Sequence, residues 1–228
     1  MKNVKAVLID IDNTLLDFHK SAKASMKKSF ERLVLEFKDC YFDTFTVVND
    51  SLWLEIEKGN LTRQQLFKIR FNTVFKSLDI SCDGTVCEDY FRENLKDFAF
   101  PIDGAIEILE YLTKKYRLYA ASNANVYAEQ INRLKLANML GYFKDVFISQ
   151  QIGYQKPDRE FFNACLERMD VLNKEEIVMI GDSLTADIQG GKNFGIKTVW
   201  FNFNNKSNDG VIIPDYTVHA LSEIKNLL

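Results

Sequence analysis

Roughly 100 residues separate the first strand-like run of the chain, residues 4–9, from the second, residues 117–121, where a crossover between parallel strands needs only about a dozen. Further short β-branched and aromatic runs stand at residues 146–148, 177–180 and 197–201, and most of the intervals between runs have helical periodicity. This alternation predicts an α/β fold with a doubly wound, Rossmann-like parallel sheet. The long first interval predicts an inserted domain. Inside it, Ala22, Met26, Phe30, Leu33, Val34 and Phe37 mark one helical face over residues 20–38, and a second helix is expected over 44–58. Gly59-Asn60 should stop that helix, and Thr62 should cap a third carrying Leu66, Ile69, Val74 and Phe75. A fourth is expected over 85–97. Pro101 and Gly104 mark the return to the main domain, where Ala105 to Lys115 reads as an amphipathic helix entering the second strand. The expected division is a catalytic core of residues 1–16 and 99–228 with an all-helical cap of residues 17–98.

Charge and composition narrow the partners. A chain of 228 residues that is 46% apolar can bury one large core or a core and a smaller companion. Its net charge of −3 and lack of any long Lys/Arg block give no footprint for a nucleic-acid polymer or an anionic membrane. Asp10 and Asp12 interrupt the N-terminal apolar run too early for a signal peptide. No stretch approaches the roughly 20 apolar residues that span a bilayer. The expectation is a soluble, cytoplasmic protein whose partner is a small molecule or another protein. Cys40, Cys82, Cys87 and Cys165 have neither zinc spacing nor the density of a disulfide framework, so reduced thiols are expected.

The polar residues that carry chemistry fall where the strands end. The first strand delivers Asp10-Ile11-Asp12-Asn13-Thr14, the second Ser122-Asn123, the region after the third Lys156-Pro157, and the fourth Gly181-Asp182 with Asp187 further on. In an open α/β sheet the carboxyl ends of the strands border the ligand crevice, so these distant segments should converge there. Carboxylates packed that closely must share protons or a cation, and their oxygens suit Mg²⁺. A lysine and a hydroxyl among them suit a phosphate.

In this ordered set the chain resembles the haloacid dehalogenase superfamily, whose motifs are a DxDxT loop, a Ser/Thr after the second strand, a distant Lys and a GDxxxxD loop. The resemblance implies that Asp10 is the nucleophile and forms an aspartyl-phosphate, while Asp12 protonates the leaving alkoxide and then deprotonates water. It implies Mg²⁺ on the Asp10 carboxylate, the Asp12 backbone carbonyl and Asp182, with Asp187 orienting Lys156 and metal-bound water from behind. Ser122, the Asn123 backbone N–H and Lys156 would bind the phosphoryl oxygens. An acid at position 12 favours phosphate-ester chemistry over the dehalogenases and ion-pumping ATPases, which lack it.

Within the superfamily three stretches look like the pyrimidine-type 5′-nucleotidases. They are Asp10 through Leu15 with Asn13, Gly59 through Arg63 followed by Arg70-Phe71, and Gly190 through Gly195 running on to Trp200-Phe201-Asn202. The implied substrate is a nucleoside 5′-monophosphate. Rival readings are a sugar-phosphate or phosphoglycolate phosphatase, a phosphoglucomutase, and a phospho-accepting signalling module. The last expects a domain about half this length with adjacent acids after its first strand. Several residues carry plainer alternatives. Ser122 could cap a helix, Asp187 could pair with any nearby lysine, and Arg70 is balanced between a cap salt bridge and substrate. His19 could touch a ligand but reads more readily as a surface histidine, and Phe18, Trp53 and Phe75 could stack on a base but read more readily as core.

Overall fold

The computed structural model describes residue 1, residues 3–169 and residues 173–228. It divides into two compact units, Met1–Asp17 with Pro101–Leu228, and Phe18–Phe100.

The first unit is built on a sheet of six strands: β1 (Ala6–Ile9), β2 (Arg117–Ser122), β3 (Asp145–Ile148), β4 (Ile177–Gly181), β5 (Lys197–Phe201) and β6 (Tyr216–Val218). They are all parallel, in the order β3-β2-β1-β4-β5-β6. Every residue of β1 and β4 is buried, the mark of strands covered on both faces and the reason their sequences are apolar without alternation. On one face Ala6, Leu8, Tyr119, Ala121, Phe147, Ile177 and Met179 pack against Phe161, Phe162, Cys165 and Phe194, from the helices Arg159–Arg168 and Gln189–Phe194. On the other side of the chain's alternation point Val7, Ile9, Leu118 and Ala120. The chain runs outward from β1 to β3 on one side, then restarts at β4 on the other. The switch point therefore lies between β1 and β4, which is where a doubly wound sheet opens a crevice at its carboxyl edge.

The second unit is all helical, with α1 (Phe18–Arg32), α2 (Asp39–Glu57), α3 (Arg63–Ser77) and α4 (Gly84–Leu95). Its core gathers Ala22, Met26 and Phe30 from α1 with Phe42, Phe45, Phe71, Val74, Phe75, Cys87 and Phe91. Thr62 caps α3 through a reciprocal capping box with Gln65, as its position predicts. The sequence expectation for α1 needs correcting at its end. The helix stops at Arg32, and Val34, read from periodicity as part of the buried face, has φ +56° and is 92% exposed. Leu33, Leu35 and Phe37 still pack on the helical core beyond the turn, so the apolar pattern outlasts the helix. Where α4 begins, a Cβ on Gly84 would lie 2.3 Å from the Asn72 backbone nitrogen, so glycine permits the close approach to α3.

All four cysteines are free. Among the described residues no helix is long and apolar enough to cross a membrane.

Candidate active site

The remaining helices of the first unit, in chain order, are α5 (Ala105–Thr113), α6 (Tyr127–Leu136), α7 (Ser149–Ile152), α8 (Arg159–Arg168) and α9 (Gln189–Phe194). Site residues sit where these meet the strand ends. The Asp10 N–H still bonds the Ile180 carbonyl at 2.9 Å, so Asp10 leaves β1 locked against β4. The chain then turns tightly, with Leu15 N–H donating to Ile11 O at 2.9 Å and Asn13 N–H to Leu16 O at 2.7 Å. Asn13 takes φ +61° in this turn, a left-handed conformation that Asn tolerates better than most residues.

After β4 the backbone forms one π-helical turn, Leu184–Ile188, capped by the Ser183 hydroxyl. It brings Asp187 back over the strand end, where Oδ2 accepts from the Ser183 N–H at 3.0 Å. A Cβ at Gly181 would stand 2.2 Å from that same oxygen, so only glycine lets the loop close this way. The Asp182 carbonyl accepts from the Trp200 indole N–H at 2.9 Å, which fixes the backbone from β5.

Lys156 ties these pieces together. Its buried ammonium donates to Asp10 Oδ1 at 2.6 Å, Asp187 Oδ1 at 2.7 Å and the Ala121 carbonyl at 2.6 Å, occupying all three of its donors. Its backbone is clamped by the Asn123 side chain, which donates to Lys156 O at 2.8 Å and accepts from Lys156 N–H at 2.9 Å. From sequence, Asn123 is expected to offer its backbone N–H to phosphate. Its side chain is what registers the β2 end against the lysine loop.

Carboxylate oxygens of Asp10, Asp182 and Asp187 lie within 4.8 Å of one another. Burial holds the Asp10 carboxyl well above the usual carboxylate range; Lys156 opposes this, while Asp187 and Asp182 add to it. Burial alone would lower the Lys156 ammonium, but Asp10 and Asp187 outweigh it and keep the amine charged. One buried lysine thus faces three carboxylates. Such an all-oxygen set with surplus negative charge suits a hard divalent cation, Mg²⁺ above all. Lys206 reaches Asp182 Oδ2 only at 3.5 Å from an exposed position, a weak surface pair that leaves the surplus in place.

The Asp12 carboxylate meets two side chains of α6. Oδ2 accepts from Gln130 Nε2 at 2.8 Å, and Oδ1 lies 2.7 Å from Arg133 Nη2. The buried Ser122 hydroxyl lies 3.2 Å from the same Gln130 nitrogen. Ser122 does not cap the next helix, whose N-cap is Val126. Sequence reasoning missed Gln130 and Arg133 because polar residues at helical spacing ordinarily read as a solvated face.

The structure thus brings Asp10, Lys156, Asp182 and Asp187 together, with Asn123 bracing the lysine and Ser122 joined to Asp12 through Gln130. Arg70 belongs to the helical unit, where it donates to both oxygens of Glu88 at 2.6 and 3.0 Å and to Asn49 Oδ1 at 2.8 Å. Of its two sequence readings, the salt bridge is the one observed. Phe75 is core, and His19 lies edge-on to Phe18 and Phe42. Trp53 has the Arg63 guanidinium 6.0 Å from its ring.

Comparison with known proteins agrees with this geometry. The profile of the haloacid dehalogenase-like hydrolases matches residues 4–195. The chain is 34% identical to the HAD-hydrolase YfnB of Bacillus subtilis, over 100% of this chain and 97% of that protein. The crystal structure of YfnB bound to magnesium superposes with a TM-score of 0.94 over 100% of this chain and 99% of that one. The pyrimidine 5′-nucleotidase PynA of Streptococcus pneumoniae is 33% identical, covering 98% of this chain and 94% of its own. For the pyrimidine 5′-nucleotidase YjjG of Escherichia coli the figures are 27%, 97% and 96%.

Proposed function

We propose that this chain, which belongs to the haloacid dehalogenase-like hydrolase family, is a Mg²⁺-dependent phosphatase of nucleoside 5′-monophosphates, working through an aspartyl-phosphate on Asp10. The observation that carries the chemistry is the buried Asp10 carboxylate at the β1 end, with Oδ1 engaged by Lys156 and the acids Asp182 and Asp187 beside it. Asp10 attacks phosphorus with its other oxygen, the P–O bond to the ester breaks, and Asp12 protonates the departing alkoxide. Asp12 then takes a proton from water, the water oxygen attacks phosphorus, and the bond to Asp10 breaks to release inorganic phosphate. Ser122 and the Asn123 backbone N–H bind phosphoryl oxygens through both steps, and Lys156, whose three donors are spent on Asp10, Asp187 and Ala121, joins them by exchanging one of those contacts for a phosphoryl oxygen. Mg²⁺ on Asp10, Asp182 and the Asp12 carbonyl would offset the repulsion between an anionic nucleophile and an anionic ester.

Every monoester offers these residues the same phosphoryl group, so the choice among substrates comes from contacts to the leaving group. We assign that choice to the helical cap, residues 17–98, and the chemistry to residues 1–16 and 99–228. Support for a nucleotide is the likeness along the whole chain to two pyrimidine 5′-nucleotidases. The test is kcat/KM for UMP, dUMP, dTMP, AMP, glucose 6-phosphate and phosphoglycolate, with Mg²⁺ and after chelation. Pyrimidine nucleotides should lead by at least about tenfold, the worth of one favourable ring contact. A sugar phosphate or phosphoglycolate in the lead rejects the nucleotide reading, and full activity after chelation rejects the metal.

A further inference from the structure

Asp12 must hold a proton-transferring carboxylate in one place through two half-reactions, yet it sits on a loop past the end of β1. Two side chains of α6 grip it. Gln130 and Arg133 are three residues apart and so share a helix face. Both are buried, at 3% and 2% exposure. Arg133 Nη1 donates to Gln130 Oε1 at 2.9 Å. That bond fixes which way the amide faces, leaving its NH₂ group for Asp12 Oδ2 at 2.8 Å and Ser122 Oγ at 3.2 Å. Arg133 Nη2 meanwhile forms a close ion pair with Asp12 Oδ1.

We infer that Gln130 and Arg133 are positioning residues for the Asp12 carboxylate, holding it in register with the phosphate-binding Ser122. A buried guanidinium costs several kcal/mol unless it is paired, and this one lies against Gln130 Oε1 through Nη1 and 2.7 Å from Asp12 Oδ1 through Nη2. Arg133 orients Gln130, and Gln130 joins the proton-transfer group to the hydroxyl that fixes the phosphoryl group. Without this bracket Asp12 keeps its chemistry but samples other rotamers, and misplacement by an ångström is enough to slow a proton transfer. The inference rests on the phosphatase reading above.

Proton delivery matters for a nucleoside alkoxide and little for p-nitrophenolate, which leaves without it. Single-turnover phosphorylation by UMP and by p-nitrophenyl phosphate should therefore be compared in Gln130→Met, which keeps shape and removes the donor, and in Arg133→Lys and Arg133→Met. Gln130→Met should lose at least about tenfold with UMP, within the 10²–10⁴ that acid–base catalysis supplies, and less than about threefold with p-nitrophenyl phosphate. Arg133→Lys should retain more activity than Arg133→Met, because it keeps the charge though not the fork. In an Asp12→Asn background Gln130→Met should add less than about threefold, because only its contact to Ser122 is left to lose once Asp12 no longer transfers a proton. Equal losses with both esters, or additive losses in the double variant, overturn the inference while leaving the phosphatase reading intact. A wild-type protein inert toward both esters overturns that reading and the inference with it. Should Arg133→Met fail to fold, Gln130→Met, which removes no charge, decides the matter.

Discussion

Arg70 in the helical unit and Lys156 at the strand ends of the sheet unit are both cations buried against acids, and the two clusters come out differently. In the helical unit the Arg70 fork meets both oxygens of Glu88 and the Asn49 carbonyl, with the rings of Phe91, Phe45 and Phe71 at 4.7, 5.4 and 5.9 Å around it. One charge cancels one, and the geometry is bidentate. In the sheet unit Lys156 also spends every donor, yet three carboxylates share its neighbourhood. Burial raises both Glu88 and Asp10 above the usual carboxylate range; Arg70 opposes the shift at Glu88, whereas at Asp10 two further acids reinforce it against Lys156. Buried charge alone therefore does not mark a reactive site. Charge left over after pairing does, since it must be met by a cation, a proton or a substrate.

The strongest way to break this contrast is Asp10→Asn. Asparagine keeps the shape and an oxygen for Lys156, while relieving repulsion from Asp182 and Asp187. On the proposed mechanism, turnover of the preferred phosphate monoester should fall by at least about a thousandfold, since a nucleophile's share of the barrier is several kcal/mol. The metal-free melting temperature should hold or rise, because one of three crowded charges is gone. Turnover within about tenfold of wild type would remove Asp10 as nucleophile. A collapsed melting temperature would show the core cluster to be a structural pair like the one in the cap.

Arg70→Met should behave in the opposite way. It strands the Glu88 carboxylate, only 1% exposed, and breaking a buried pair by removing one partner costs about 3–5 kcal/mol. Denaturant unfolding should show that loss, while kcat for the protein that remains folded stays within about twofold. An unchanged stability with a raised KM would instead return Arg70 to the substrate-binding role that its sequence position left open.

The contrast also explains what the sequence made legible. The strand alternation and the long first interval pointed to a doubly wound sheet with an insertion, because buried parallel strands are continuous apolar runs that periodicity detects well. The strand Tyr216–Val218 escaped, since two of its three residues are exposed on a sheet edge. Asp10 and Asp182 follow apolar strands directly, a signal that needs no partner to be seen, whereas Lys156 and Asp187 lie further beyond theirs and were legible through the order of the whole motif set. Arg70 carried no such signal, because its meaning depends on Glu88 eighteen residues away. Gln130 and Arg133 were hidden likewise, as their partner Asp12 is more than a hundred residues distant. Their one visible cue was position, on the first helix after Ser122-Asn123.

The smallest expected effect sharpens the comparison most. If the cap cluster matters only as a closed pair, it should be removable as a unit, and Arg70→Met combined with Glu88→Leu performs that removal. Replacing both members of a buried ion pair with apolar groups of similar volume is often neutral or stabilising, because two desolvation costs vanish with one attraction. The surrounding Phe45, Phe71 and Phe91 suit a methionine, whose sulfur packs favourably on ring edges. Asn49 Oδ1 loses its donor, which costs about 1–3 kcal/mol if nothing replaces it. The double variant should therefore recover at least about half of the stability that Arg70→Met loses, with turnover unchanged. The same logic cannot rescue the core: Lys156→Met with Asp10→Leu also deletes a buried pair, but leaves Asp182 and Asp187 facing each other without the lysine. A cap double variant no more stable than Arg70→Met would mean that the pair does more than satisfy itself, and the distinction between closed and surplus charge would then fail for the cap.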